Sequence, residues 1–413
     1  MRGHRYKTIH FLLLIVTLIS LLACSEEPGK KAAEQNWEDI VAEARGQTVD
    51  WFMWGGSPAV NAYVNGYLAE QLKTQFDITL RQGPVQDIAE VVSKLVIEKQ
   101  AGKARDGHVD LMWINGENFR TCKRNGLLFG PFADRLPNQK YVNWEQPSVY
   151  NDFGEPVDGL ESPWGSAQMV MIYDTARLSE PPRSVGALLD WIRAHPGRFA
   201  YPAPPDFTGS VFIRHIFYHV AGDVAHWQTS VDPAAFDRAA SDTYRVLREL
   251  APALWRKGET YPESPVRLNT LFADGEVDFS FSYHQAEASR NIIDGLFPET
   301  VRTYVFEEGT IANTHFVAIP FNAADTAGAM VVANFLLSPE AQLEKADPDV
   351  WGDFPAIDPR RLPAEWQKRF SARPRGPATL SDAELQSHQL PEPPSELLIK
   401  LEKGWERHVL KGR

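Results

Sequence analysis

Aromatic and small polar residues stand together where four predicted strands end. Three of these ends read Trp54 to Ser57 (Trp-Gly-Gly-Ser), Trp113 to Gly116 (Trp-Ile-Asn-Gly) and Tyr283 to Gln285 (Tyr-His-Gln), and the fourth is the stretch Tyr201 to Ser210. In open α/β sheets, ligands bind beyond the carboxyl ends of the strands, where helix N-termini offer unpaired backbone N–H groups. The set predicts a binding cleft. The alternative is that the tryptophans belong to the core and that the small residues only form turns.

A pair of histidines is a second pattern that could carry chemistry. His215 and His219 lie four residues apart on a predicted helix, which is the spacing of two zinc ligands on one helix face. The intervening residues are Ile-Phe-Tyr, so the glutamate of a metalloprotease helix is missing. We expect these histidines to pack or to face solvent, and we predict no metal site.

Motifs of nucleotide chemistry and of hydrolysis are missing from the sequence. It contains no Gly-x-Ser-x-Gly elbow, no Walker loop and no Gly-x-Gly-x-x-Gly fingerprint. These absences disfavour an α/β-hydrolase and nucleotide-dependent chemistry, and we expect no cofactor and no enzymatic activity. A pair of carboxylates acting on glycans remains open, because the chain has 54 acidic residues.

Composition narrows the class of protein further. The 413 residues suffice for two or three domains, and 43% hydrophobic residues indicate a globular body. A net charge of −12 argues against nucleic-acid binding, which depends on neutralising phosphates with basic groups. Two cysteines exclude a disulfide-rich scaffold.

The N-terminus has the pattern of an export signal. Basic residues Arg2, Arg5 and Lys7 precede the apolar run Phe11 to Leu22, which is too short to span a membrane. The run ends in Leu-Leu-Ala-Cys at Cys24, which resembles the lipobox of bacterial lipoproteins. A plain secretory signal with a chance cysteine is the alternative.

The lipobox implies a processed and anchored protein. Residues 1–23 would be a signal peptide, Cys24 would carry lipid, and residues 24–35 would form a polar tether. Loss of three positive charges takes the net charge of −12 to about −15. We therefore predict an exported protein on the periplasmic or cell-surface side of a membrane.

The body of the chain alternates between predicted strands and helices. Strands are expected at 48–54, 77–82, 109–114, 167–173, 199–202 and 277–283, and a further one at 314–319, with helical spacing of apolar residues between most of them. Such alternation with short turns predicts an α/β fold with mostly parallel sheets.

Several motifs in order resemble one protein family. They are WFMWGGSP at residue 51, DLMWINGENF at 110, ESPWGSAQ at 161, YPAPPDFTGS at 201 and FLLSPEAQ at 335. With the lipobox, they resemble the extracellular solute-binding proteins of ABC importers, in particular the family-1 group and its YnjB-like branch.

The resemblance implies a two-lobed periplasmic-binding-protein-like fold of type II. Each lobe would be a mixed, mostly parallel sheet flanked by helices, with the ligand cleft between the lobes. Lobe one would contain residues 36–160 and 300–325, and lobe two residues 161–299 and 326–413. The chain would cross between lobes near residues 163–165 and 307–310.

The resemblance also implies which residues bind ligand. These positions match loops that commonly touch the solute in the family: Trp54, Gly55, Gly56, Ser57, Trp113, Asn115, Trp164, Thr208, Gly209, Ser210 and Tyr283. Four nearby acids, Glu117, Glu161, Asp206 and Glu287, are expected to cap helices or to face water rather than to contact ligand. The implied partners are a small solute and a permease with a separate ATPase, and we expect a monomer.

Aromatic residues beside acids favour an organic cation as the solute. Thiamine, polyamines and quaternary amines have this character, and a thiamine-like heteroaromatic is preferred here. Helix N-termini would instead suit an anion, and tryptophans also stack on sugars. The alternative functions are a surface-anchored hydrolase acting on glycans and a lipoprotein with a sensory or interaction role.

Overall fold

Within the described part of the chain, the strands form two separate main sheets and one short hairpin. The computed structural model describes residues 35–229 and 232–412, so the predicted signal peptide, Cys24 and all but the last residue of the predicted tether lie outside the described residues. The strands are β1 (Thr48–Trp54), β2 (Thr79–Val85), β3 (Leu111–Ile114), β4 (Asn151–Asp152), β5 (Glu155–Pro156), β6 (Glu161–Gln168), β7 (Val170–Asp174), β8 (Phe279–Ser282), β9 (Val301–Tyr304), β10 (Thr310–Ala318) and β11 (Gln389–Pro391).

The first sheet has the order β11-β10-β3-β1-β2, and β6 also pairs with β10. Strand β1 runs parallel to β2 and β3, with Thr48 opposite Thr79 and Trp51 opposite Leu111. Strand β10 runs antiparallel to β3 and β6 and parallel to β11. This sheet is mixed and mostly parallel, as the resemblance implies.

The second sheet has the order β8-β7-β9, and both of its strand pairs are antiparallel. A mostly parallel arrangement was expected for both lobes. Strands β8 and β9 do run parallel to each other across their helical connection, but β7 lies between them in the opposite direction. Strand β7 is antiparallel to both neighbours because the chain reaches it directly from β6 of the first sheet. A helix before β7, as in a parallel crossover, is missing at this point.

Helices cover both sheets. In chain order they are α1 (Trp37–Ala44), α2 (Pro58–Ala62), α3 (Ala69–Phe76), α4 (Ala89–Gln100), α5 (Glu117–Arg124), α6 (Pro147–Tyr150), α7 (Val185–Ala194), α8 (Phe207–Ala221), α9 (His226–Thr229), α10 (Pro233–Leu250), α11 (Pro265–Ala273), α12 (Glu287–Ile293), α13 (Thr326–Leu336), α14 (Pro339–Lys345), α15 (Ala364–Ser371), α16 (Asp382–Ser387) and α17 (Ser395–Trp405). A π-helical turn at Tyr63–Leu68 joins α2 to α3, and another follows α17 at Glu406–Leu410. Short 3₁₀ turns stand at Ala133–Arg135, Pro137–Tyr141, Ala251–Ala253, Trp255–Gly258 and Pro359–Arg361. Within the described residues, no helix is long and apolar enough to cross a membrane.

The core is divided into two main clusters, one for each lobe. The cluster of lobe one joins β1 to helices α13 and α14, and that of lobe two joins β7 and β8 to helices α8, α10 and α17. A smaller cluster covers the other face of the first sheet, between α4 and α5.

Packing differs from the predicted lobe boundaries in three places. Strand β6 lies in the first sheet and β9 in the second, and residues 326–371 pack in lobe one rather than lobe two. Helix α13 is buried almost all round, since Ala327 to Ala333 are covered by the rest of lobe one. Helix α13 packs against β1 in the core of lobe one. The order of elements along the chain does not predict this contact.

The chain crosses between the sheets at short connections. Met169 alone separates β6 of the first sheet from β7 of the second, and residues 305–309 lead back from β9 to β10. The predicted crossing near 307–310 coincides with the second connection, whereas the first lies a few residues after the predicted 163–165. A later segment, residues 389–395, leads from β11 of the first sheet to α17 in the core of lobe two.

Candidate functional site

The end of β1 presents an exposed aromatic ring. Trp54 is 46% exposed. A side chain at Gly56 would place its Cβ 2.3 Å from that ring, and one at Gly55 would lie 2.5 Å from Pro84. Ser57 caps helix α2 by accepting from the backbone N–H of its first turn. The two glycines are therefore required by close packing, and Trp54 remains accessible.

The end of β3 is fixed by a buried carboxylate. Gly116 has a φ of 62°, which favours glycine, and its N–H donates to the Asp152 Oδ2 at 2.7 Å. Asn115 and Glu117, on either side, are half-buried. Asp152 therefore positions the loop that carries Asn115 and the first residue of α5.

Trp164 lies inside lobe one rather than on a cleft wall. It is 0% exposed, and its ring centroid lies 4.9 Å from that of Trp113, 5.0 Å from Trp51 and 5.3 Å from Trp351. The Lys345 Nζ lies 5.7 Å from the same ring. In this conformation a solute has no access to the ring, because the chain's own aromatic and ammonium groups cover it.

Lys345 is held by a buried ion pair. Its Nζ lies 2.7 Å from the Asp353 Oδ2 and donates to the Trp164 carbonyl at 2.6 Å. Burial alone would raise the pKa of Asp353, but Lys345 and then His315 lower it below its ordinary value. This pair is a structural link between α14 and β6.

The N-terminus of α8 is capped by the chain itself. The Asp206 carboxylate accepts from the N–H of Gly209 at 2.9 Å, and the Ser210 N–H donates to the Asp206 carbonyl at 2.8 Å. Thr208 and Ser210 are buried, and a Cβ on Gly209 would lie 1.9 Å from the Pro202 carbonyl oxygen. Asp206 therefore satisfies the N–H groups of both Gly209 and Ser210 in this structure, and their contact with a solute stays a prediction.

A buried polar cluster joins the two lobes close to this helix. The Arg214 Nη1 of α8 donates to the Glu392 Oε2 at 2.5 Å. The other oxygen of Glu392 accepts from the Tyr283 hydroxyl and, at 3.2 Å, from the Asn313 Nδ2 of β10. We call Arg214, Glu392, Tyr283 and Asn313 the interlobe cluster, since its members come from both sheets and from the segment 389–395.

Aromatic rings surround the guanidinium of the interlobe cluster. The Arg214 Cζ lies 5.2 Å from the Phe207 ring centroid and 6.0 Å from that of Phe153. Phe207 also lies 4.9 Å from Tyr283, and it is 40% exposed. Phe207 is therefore an aromatic surface at the junction of the lobes that a solute can reach.

Acidic groups outnumber basic ones around the interlobe cluster. Burial raises the pKa of Glu117, Asp206 and Glu402. Burial also raises the pKa of Glu392, against the stabilising effect of Arg214. The positive charge of Arg214 also lowers the pKa of Glu117 and of Glu402, against the effect of burial. One guanidinium therefore stabilises the charged form of several carboxyl groups. The arrangement favours an added positive charge.

The histidine pair does not form a metal site. The His215 Nδ1 lies 2.8 Å from the Val211 carbonyl oxygen, and its Nε2 accepts from the Ile311 N–H at 3.1 Å. Both ring nitrogens are therefore used within the chain. His219, one turn later, is exposed.

The residues of this site are only partly predicted by sequence motifs. Tyr283 was predicted and belongs to the interlobe cluster, whereas Arg214, Glu392 and Asn313 were missed. Arg214 and Glu392 are 178 positions apart, and neither stands in a recognisable motif. A buried arginine within the apolar face of a predicted helix was the available signal, because such a charge requires a partner.

The fold is that of two-lobed solute-binding proteins. The periplasmic thiamin binding protein superposes with a TM-score of 0.58 at 18% identity, over 88% of this chain and 96% of that chain. The spermidine/putrescine ABC transporter substrate-binding protein of Streptococcus pneumoniae superposes with a TM-score of 0.56 at 16% identity, over 87% and 99%.

Sequence similarity identifies the family. Residues 67–372 match the model of the bacterial extracellular solute-binding proteins. Protein YnjB of Escherichia coli (strain K12) is 40% identical over 370 residues, which cover 90% of this chain and 93% of that protein. The chain belongs to the bacterial extracellular solute-binding protein family, and the family predicted from the motifs is confirmed.

Proposed function

We propose that this protein is the substrate-binding component of an ABC importer and that its solute is a small organic cation, with a thiamine-like heteroaromatic preferred. The observation that carries this proposal is the excess of half-buried acids around the interlobe cluster. Glu117 and Glu402 lie near a guanidinium that Glu392 already neutralises, and Asp206 lies near Glu402. A cation entering between the lobes would satisfy these carboxyl groups, and the exposed ring of Phe207 offers a cation–π contact.

Two of the structural relatives are named for organic cations. One is named for thiamin and another for spermidine and putrescine, and each of these compounds is an organic cation. The second is named as a part of an ABC transporter. A permease and a separate ATPase would be the partners of this chain in the same arrangement.

Thermal unfolding with a panel of solutes tests the proposal. The chain from Ser25 onward is stripped of bound compounds by unfolding and refolding, and is then heated with thiamine, polyamines, phosphate, sulfate or sugars. A solute at 100 times its dissociation constant adds about 2.7 kcal/mol of stability. We expect a saturable rise in melting temperature with one class of organic cation. A rise with sugars or anions alone contradicts the proposed solute class.

The same experiment separates a binding protein from an enzyme. We propose that the solute is held and released unchanged. Recovery of the intact compound after incubation is therefore expected, whereas a cleaved glycan would indicate the hydrolase. An absence of binding to every compound would favour a sensory or interaction role.

We further propose that lipid on Cys24 anchors the protein to a membrane. Cys24 follows the apolar run and the small residue that a lipobox requires. The variant Cys24→Ser is expected to move from the membrane fraction to the soluble fraction and to lose incorporation of a labelled fatty acid. Cys122→Ser is the matched control, and equal labelling of both variants would contradict the anchor.

A further inference from the structure

Arg214 is a buried positive charge whose counter-ion is supplied by a distant part of the chain. Its side chain is 1% exposed and that of Glu392 is 3% exposed. Breaking such a pair leaves an uncompensated charge in a medium of low dielectric constant, where charges act strongly over several ångströms. The pair therefore controls the electrostatic potential of its surroundings.

Hydrogen bonds within the chain use both oxygens of Glu392 and part of the Arg214 guanidinium. One oxygen of Glu392 is used by Arg214, and the other by Tyr283 and Asn313. The Arg214 Nε donates to the Ser210 carbonyl at 3.3 Å, and the rings of Phe207 and Phe153 flank the guanidinium. An anionic solute consequently finds the positive charge already neutralised.

The segment that carries Glu392 is held from both lobes. Its Pro391 carbonyl accepts from the Tyr218 hydroxyl of lobe two at 3.4 Å. The Ser395 N–H donates to the Phe153 carbonyl at 3.2 Å, on the side of the hairpin β4–β5. Three prolines, at 391, 393 and 394, restrict the backbone on either side of Glu392. The carboxylate is therefore fixed in place before any solute arrives.

We propose that Glu392 is the specificity-determining residue of the cleft for solute charge. By neutralising Arg214 it weakens the effect of that positive charge on Glu117 and Glu402, so that the potential between the lobes favours cations and disfavours anions. Specificity of this kind is a difference between two affinities, and a repulsive element can supply it. The inference rests on the proposed function, since it assumes that the solute binds between the lobes.

Two single variants and one double variant test this role. Glu392→Gln keeps the size of the side chain and leaves Arg214 charged. Arg214→Met removes the cation, and the double variant removes both charges. Binding of thiamine, putrescine and inorganic phosphate to each is measured by isothermal titration calorimetry. Asp278→Asn is the matched control, because it removes a carboxylate from Arg198 elsewhere in lobe two.

We expect removal of the negative charge and removal of the positive charge to change the solute affinities in opposite directions. Glu392→Gln should weaken binding of the cation tenfold or more and should create binding of phosphate. Arg214→Met should bind the cation at least as tightly as the unaltered chain does and should not bind phosphate. The double variant should lose the phosphate binding again, and Asp278→Asn should change neither affinity.

Several outcomes would overturn the inference. A folded Glu392→Gln variant with unchanged cation affinity and no phosphate binding would do so, and so would phosphate binding by the unaltered chain. If Glu392→Gln does not fold, as circular dichroism will show, then loss of cation binding in Arg214→Met overturns it. If the unaltered chain binds neither cation, the proposed solute class fails on its own. Phosphate binding by Glu392→Gln then still decides the role of Glu392.

Discussion

Trp164 packs among the rings of Trp51, Trp113 and Trp351, and this position explains its complete burial. The sequence predicts an aromatic residue of importance here, and the structure gives it a packing role in lobe one. A tryptophan beside a glycine in a short motif has the same letters whether its ring faces a solute or a core, so burial is what distinguishes the two.

Replacement of Trp164 by alanine should therefore affect stability. We expect Trp164→Ala to lower the free energy of unfolding by about 3–5 kcal/mol, because it leaves a large cavity in the core. Trp54→Ala is the matched control, and we expect it to cost less than about 1 kcal/mol, since Trp54 is 46% exposed. Urea unfolding measures both, and equal losses would contradict the burial argument.

Cys122 is a second residue whose surroundings determine its chemistry. It is fully buried in helix α5, and burial raises the pKa of its thiol to about 12. Because the thiolate is the reactive form, the folded chain from Ser25 onward should not react with a thiol reagent at pH 8. Absorbance of the released thiol product is the measurement. Unfolding in guanidinium should restore one reactive thiol per chain, and full reaction of the folded protein would contradict the prediction.

The side chain of His215 in helix α8 forms a hydrogen bond to the backbone of strand β10. Burial lowers the pKa of His215 from 6.5 to about 4, and the Ile311 N–H donates to its Nε2. In the unfolded chain this histidine takes up a proton below pH 6.5, whereas in the folded chain it does so only near pH 4. The unfolded state thus binds more protons in this interval, so stability is fully present above pH 6.5 and falls as the pH falls.

The pH dependence of unfolding should show this effect. We expect His215 to account for a loss of about 3 kcal/mol between pH 6.5 and pH 4, from about 1.4 kcal/mol per unit of pKa shift. Urea titrations of the unaltered chain and of His215→Gln should differ in slope over this interval. His219→Gln, one turn away and exposed, is the control. The same slope in all three proteins would contradict the prediction.

At the scale of elements, local patterns predicted some strands and not others. Strand β1 is predicted at 48–54 and observed at Thr48–Trp54, because β-branched and aromatic residues fill it. Strand β6 was missed over most of its length, since Pro163 and Gly165 disfavour a strand. Its pairing with β10, nearly 150 residues later, overrides those local preferences. The short strand predicted at 199–202 is irregular in the structure.

The residues of the candidate site that the sequence does not predict are also those held by contacts between distant segments. The positions of Trp54, Asn115 and Tyr283 at strand ends follow from turn residues that can be read locally. The contact between Arg214 and Glu392 requires the crossing of segment 389–395, which no local pattern encodes. Capping of a helix was one of the two roles predicted for Asp206, because aspartate is a preferred N-cap residue, and Asp206 does cap α8.

The whole molecule should respond to its solute by moving one lobe toward the other. The two sheets are joined through Met169 and residues 305–309, which can serve as a hinge. We expect the radius of gyration from small-angle X-ray scattering to fall when the solute of the thermal panel is added. A compound that does not raise the melting temperature is the control. An unchanged radius at saturation would contradict closure.

Strand β10 has a further consequence, for the order in which the molecule can assemble. It lies between β3, β6 and β11, yet it comes some 200 residues after β3 along the chain. Strand β3 therefore has an unpaired edge until residues 310–318 have been synthesised. Residues 170–304 are synthesised before β10 can pair with that edge. Contacts over such sequence distances slow folding and expose edges that invite aggregation. The nascent chain thus has a long interval in which a chaperone can hold it. Lobe two also stays incomplete during that interval, because its helix α17 follows β10 along the chain.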